Sequence, residues 1–121
     1  MAISRILVVD DSPTERFFLS ELLVKHGYLV SMAESGEEAV AQAKSTLPDL
    51  IVMDVVMPGM NGYQATRMIS RDSATSHIPV IMCTTKGQET DKVWGMRQGA
   101  KAYLVKPVKP DELLDKIRAF G

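Results

Sequence analysis

Hydrophobic residues fall into short runs along this chain, and the runs alternate with stretches of helical spacing from one end to the other. Ile6–Val9 is an unbroken apolar run, too short for a helix, and reads as a strand buried on both faces. Ser12-Pro13-Thr14-Glu15 follows, an S-x-x-E capping box with proline at the first helical position. Phe18, Leu19, Leu22 and Leu23 keep helical spacing until Gly27 stops the helix. Tyr28–Ala33 reads as a weaker strand. Ser35 and Glu38 form a second capping box, opening a helix to about Leu47 with Ala39, Val40 and Ala43 inward, and Pro48 ends it.

The alternation continues. Leu50–Met53 is a second fully buried strand, ending at Asp54. "VVMPGMNG" is rich in turn formers. A helix over about Gly62–Arg71 places Ala65, Met68 and Ile69 on one face. Pro79–Cys83 predicts a strand, and about Thr90–Gln98 a helix with an apolar stripe at Val93 and Met96, closed by Gly99. Ala102–Val105 is the last strand. Pro110 opens a final helix with Leu113, Leu114 and Ile117 inward.

Strands and helices in this order predict an α/β fold, a five-stranded parallel sheet covered on both faces. Such sheets bind ligands beyond the carboxyl ends of their strands. Asp10, Asp11, Asp54, Thr84 and Lys106 all lie at those ends. Ile6–Val9 therefore runs straight into two adjacent carboxylates, which repel each other unless something positive sits between them.

Composition narrows the function. The chain has 121 residues, the size of one domain, and 45% of them are hydrophobic, enough for a core. Fourteen basic residues nearly balance fifteen acidic ones, for a net charge of −1, which argues against nucleic-acid binding and against a basic membrane-surface patch. No apolar stretch approaches the ~20 residues of a membrane span, and "MAISRILVVDD" reaches carboxylates too soon to read as a signal peptide. Cys83 is the lone cysteine, so no internal disulfide forms; a reducing, cytoplasmic setting is expected, with the thiol as a buried apolar filler. His26, near the end of the first helix, reads as a cap. His77 lies in a polar loop, and Trp94 is expected to be partly buried.

The carboxylates point to a hard divalent cation. Mg²⁺ prefers oxygen ligands, often one or two carboxylates with waters and a phosphate oxygen. Asp10 and Asp11 suit it, and Asp54 can give it one oxygen while the other acts as a nucleophile. Phosphoryl transfer is mostly positioning and charge neutralisation. Lys106 supplies a fixed positive charge and Thr84 a short hydroxyl. An acidic pair before a helix also suits the helix dipole, but the conjunction with Asp54, Thr84 and Lys106 favours chemistry.

At "VVDDS", "LIVMDVVMPGMNGYQ", "VIMCTTK" and "GAKAYLVKP" the chain resembles the receiver domains of bacterial two-component response regulators. The four pieces span the chain in the family's order and spacing. The resemblance implies a doubly wound, flavodoxin-like fold with strand order 2-1-3-4-5 and a cis peptide between Lys106 and Pro107. It implies Mg²⁺ at Asp10, Asp11 and Asp54, completed by the backbone carbonyl of Val56. It makes Asp54 the phosphoacceptor, Lys106 the family's lysine, Thr84 the switch hydroxyl and Tyr103 the switch aromatic. Tyr103 is expected to rotate inward, where its hydroxyl needs a backbone acceptor in the loop Lys86–Glu89. Two positions depart from the family pattern: Thr85 stands where a small residue is usual, and Val56 where polar side chains are common.

The implied protein is a single receiver domain over residues 1–121 with no output domain, a monomer, and no enzyme beyond its own phosphorylation and dephosphorylation. Its donor would be a histidine kinase of the chemosensory type. The segment "TTKGQETDKVWGMRQGAKAYLVKPV" is most similar to receivers that drive type IV pili, so the expected effector belongs to the pilus motor machinery. A phosphate sink for a shared kinase is an alternative. A Mg²⁺-dependent aspartyl-phosphate phosphatase fits poorly, because its D-x-D nucleophile motif and cap domain are missing. A pseudo-receiver fits poorly too, since all five site residues are kept.

Overall fold

The computed structural model describes residues 2–121. Five strands and five helices alternate: β1 (Arg5–Val9), α1 (Pro13–Lys25), β2 (Leu29–Ala33), α2 (Gly36–Thr46), β3 (Leu50–Met53), α3 (Gly62–Arg71), β4 (Val80–Thr84), α4 (Glu89–Arg97), β5 (Ala102–Val105) and α5 (Pro110–Arg118). The strands form one sheet in the order β2-β1-β3-β4-β5, and every pairing is parallel. This is the doubly wound, flavodoxin-like arrangement.

The apolar runs are unbroken because successive side chains enter opposite layers. Ile6 and Val8 of β1 pack with Leu19 and Leu23 of α1 and with Leu113, Leu114 and Ile117 of α5. Leu7 and Val9 face the other way, against Ala39 and Ala43 of α2 and Ala65 and Ile69 of α3.

Helix starts follow the side chains that cap them. Ser12 Oγ accepts from the Glu15 N–H at 3.4 Å, and Ser35 Oγ accepts from the Glu38 N–H at 3.1 Å. Asn61 and Gln64 form a reciprocal capping box at α3, with both bonds at 2.9 Å. α2 ends on Leu47 in the left-handed region (φ 46°), and Pro48 follows. His26 caps α1, its Nδ1 lying 2.9 Å from the Leu22 carbonyl. The Lys106–Pro107 peptide is cis.

Three inward faces differ from the sequence expectation. Phe18 is exposed, and α1 anchors through Leu19 and Leu23. Met68 is exposed; the buried positions of α3 are Gly62, Tyr63, Ala65, Thr66 and Ile69. Val93 and Met96, the apolar stripe of α4, face solvent, and within α4 only Gly95 is buried. The cause is close packing: a β-carbon at Gly95 would stand 2.8 Å from Met82 Sδ and 2.9 Å from the Tyr103 ring. α4 approaches β4 and β5 through bare backbone, which turns its apolar stripe outward.

Candidate functional site

The site lies one residue beyond the regular ladders, where the sheet continues by single rungs. The Asp10 N–H donates to the Ala33 carbonyl at 3.2 Å, the Asp54 N–H to Val9 at 2.9 Å and the Lys106 N–H to Thr84 at 2.8 Å. Each of these polar residues is fixed by backbone bonding to a neighbouring strand. Their side chains converge as a result. Asp10, Asp11 and Asp54 each offer a carboxylate oxygen, and the three oxygens lie within 4.8 Å of one another. Asp10 and Asp54 are buried; Asp11 is exposed.

Lys106 is the positive group between them. Its Nζ donates to Asp10 Oδ2 at 2.7 Å and stands 3.8 Å from Asp54 Oδ2 and 4.0 Å from Glu15 Oε2. The Ser12 N–H occupies Asp10 Oδ1 at 2.9 Å, and the Val55 N–H occupies Asp54 Oδ1 at 2.8 Å. Both oxygens of Asp10 are therefore engaged, while Asp54 Oδ2 faces the lysine at longer range. That oxygen is the least committed of the four.

The electrostatics agree. Burial pushes the Asp54 carboxyl above its ordinary value of 3.8; the Lys106 charge opposes this, the Asp10 charge adds to it, and the backbone N–H groups of Val55 and Val56 pull downward. For Lys106, burial works to lower the ammonium pKa, but the hydrogen bond to Asp10 and the charges of Asp54, Asp10 and Glu15 prevail and raise it. The lysine stays charged, bonded to Asp10 rather than to Asp54. An all-oxygen donor set with excess negative charge fits a hard cation such as Mg²⁺, which completes its shell with water and phosphate oxygens.

Thr84 ends β4 with its side chain buried, and its Oγ1 accepts from the Lys86 N–H at 3.3 Å. Val56 exposes its side chain in a cleft shared with Val55, Met57, Asn61, Tyr63 and Lys86. Lys86 Nζ lies 3.9 Å from Asp91 Oδ1. Tyr103 is half-buried, and its hydroxyl donates to the Lys86 carbonyl at 2.7 Å. Burial raises the Tyr103 phenol pKa, so that hydroxyl stays protonated. Cys83 is buried and its thiol is pushed up to about 12, which leaves it inert.

Two neighbours escaped the sequence reading. Arg16 Nη1 donates to the Asp10 carbonyl at 2.7 Å, and its Nη2 stands 3.3 Å from Glu34 Oε2, so it clamps the β1–α1 and β2–α2 loops together. Its only sequence signal is a cation one turn into a helix that starts beside two aspartates. Tyr63 is buried at the start of α3, within reach of Tyr103.

Residues 6–118 match the model of the response regulator receiver domain. The chain belongs to this family. It is 58% identical to protein PilH of Pseudomonas aeruginosa over 116 residues, covering 96% of both chains. Among solved structures, the receiver superposes on the chemotaxis protein CheY4 of Vibrio cholerae with a TM-score of 0.91 at 35% identity, covering 99% of this chain and 100% of that one. It also superposes on the receiver domain of a sensor histidine kinase from Pseudomonas aeruginosa, with a TM-score of 0.90 at 31% identity and 98% of each chain covered. That relative holds a magnesium ion coordinated in its active site cleft. Among the described residues, no helix of the receiver is long and apolar enough to cross a membrane.

Proposed function

We propose that this receiver takes a phosphoryl group from the phosphohistidine of a chemosensory-type kinase onto Asp54 and thereby switches its affinity for a partner. The observation that carries the reading is the meeting of three carboxylate oxygens within 4.8 Å with the Lys106 ammonium 3.8 Å from Asp54 Oδ2. Asp54 Oδ2 attacks phosphorus; the P–N bond to the donor imidazole breaks, and its electron pair leaves with the ring. Asp10, Asp11, Asp54 and the Val56 carbonyl would hold Mg²⁺, which neutralises phosphoryl charge when bound. Lys106 supplies the fixed cation on the other side, and Thr84 offers its hydroxyl to a phosphoryl oxygen.

The likeness of residues 84–108 to pilus-system receivers, together with the identity to PilH, supports an output in type IV pilus-based motility. Incubation with acetyl phosphate tests the chemistry. Labelling should require Mg²⁺ and vanish in Asp54→Asn. Full labelling of that variant at another residue would sink the assignment.

A further inference from the structure

Tyr63 sits between the loop after Asp54 and the face formed by α4 and β5. It follows Gly62, whose backbone lies so close to β3 that a β-carbon there would stand 2.1 Å from the Asp54 carbonyl oxygen. The Gly62 N–H also donates to the Val55 carbonyl at 2.9 Å. Tyr63 is thus indexed to the strand end that carries Asp54. Its side chain is buried with Val55, Met82 and Ala100, and Tyr103 packs against the same cluster.

The hydroxyl end is less settled. Tyr63 Oη lies 3.2 Å from the Asp91 carbonyl, in the first turn of α4, and 3.3 Å from Tyr103 Oη. A tyrosine hydroxyl has one proton to donate. Tyr103 commits its own to the Lys86 carbonyl at 2.7 Å. The proton of Tyr63 therefore has two acceptors at nearly equal distance, one on α4 and one on β5.

We propose that Tyr63 is a positioning residue for the switch: its hydroxyl divides one donated hydrogen bond between α4 and Tyr103, tying displacement of the loop after Asp54 to the α4–β5 face by a route that bypasses Thr84. The inference rests on the reading of Asp54 as phosphoacceptor. A shift of that loop carries Tyr63 with it, tips its proton toward one acceptor and loosens its hold on the other. Gly95 makes the arrangement possible. Alanine is the better helix former, yet its β-carbon would strike the Tyr103 ring. Only a bare backbone lets that ring lie within reach of Tyr63.

Trp94, half-exposed on α4 beside Gly95, is the single tryptophan and serves as reporter. Beryllofluoride with Mg²⁺, a stable phosphoryl mimic, is titrated into wild type and Tyr63→Phe. Trp94 emission reads the α4 response, and ¹⁹F NMR of bound fluoride reads occupancy of the site. Tyr63→Phe should bind the mimic within about fivefold of wild type, the lower end of coupling factors between sites, and should lose most of the emission change. In a Gly95→Ala background, where the ring is displaced, Tyr63→Phe should have little further effect on emission. A full Trp94 response from saturated Tyr63→Phe would overturn the proposal. So would loss of the bound fluoride signal in that variant, which would put Tyr63 in the site itself. Absence of bound fluoride in wild type would remove the reading of Asp54 as phosphoacceptor and this inference with it.

Discussion

Replacing Lys106 with methionine keeps the length of the stem and removes the charge. Two effects of opposite sign should follow. Without metal, the fold should weaken. Lys106 Nζ stands 2.7 Å from Asp10 Oδ2, with side-chain exposures of only 11% and 2%, so solvent screens the pair little. Removing one partner of such a pair leaves a buried uncompensated charge and costs about 3–5 kcal/mol. The second contact agrees in scale: at 3.8 Å from Asp54 and an effective dielectric constant of about 20, Coulomb attraction is about 4 kcal/mol. Against a total folding stability of about 5–15 kcal/mol, that is a large share.

Mg²⁺ binding, by contrast, should tighten. The metal competes with the lysine for Asp10, and a charge-assisted hydrogen bond is worth about 1.5–3 kcal/mol. Relief from that competition corresponds to about 10- to 150-fold in affinity. Thermal unfolding followed by circular dichroism across a Mg²⁺ series reads both quantities. Lys106→Met should melt well below wild type without Mg²⁺ and recover most of the gap at saturation. Because the folded Lys106 pKa is raised, its stabilisation is complete below the ordinary 10.5 and is lost only as pH climbs through the folded value. The gap between the two proteins should stay flat through neutral pH and close only in strong alkali. Equal metal-free melting temperatures, or weaker Mg²⁺ binding by the variant, would refute the account.

Asp54→Asn should stabilise the metal-free protein at neutral pH, since the folded Asp54 pKa lies above 3.8 and charging it costs folding energy. That cost grows as pH rises from 3.8 through the folded value, so the gain should fade in acid denaturation series; a gain that persists below 3.8 would contradict it. Val56→Asn should shorten the phosphoprotein half-life in a radiolabel chase, because the exposed valine offers no hydrogen bond to an attacking water; an unchanged or longer lifetime would remove the argument. Thr84→Ala should still label with acetyl phosphate and should show a reduced, though not abolished, Trp94 response, the remainder passing through Tyr63.

Strand positions were readable because buried parallel strands leave unbroken apolar runs, and Ile6–Val9 and Leu50–Met53 resemble little else. Asp10 and Asp54 were readable because each ends such a run. What could not be read was which apolar helix residues face inward. Phe18, Met68, Val93 and Met96 keep helical spacing yet are exposed, since a period of 3.6 marks a face without saying what lies against it, and single exposed apolar residues are ordinary on protein surfaces. Arg16 and Tyr63 were missed for a related reason. Their roles depend on contacts with residues 18 and 40 positions away, Glu34 and Tyr103, which no local pattern encodes.

The helices are held to the sheet unequally. α5 buries Leu113, Leu114 and Ile117, whereas within its span α4 buries only a glycine. With so little apolar area removed from water, α4 is the element most ready to detach, and local openings arise where buried contacts are fewest. The edge carrying Asp10, Asp54 and Lys106 is built the opposite way, with each of these residues hydrogen-bonded through its backbone to the next strand. The molecule thus joins a stiff chemical edge to a loosely moored flank, so a small energetic bias at the carboxylates can be spent on releasing a helix without melting the sheet.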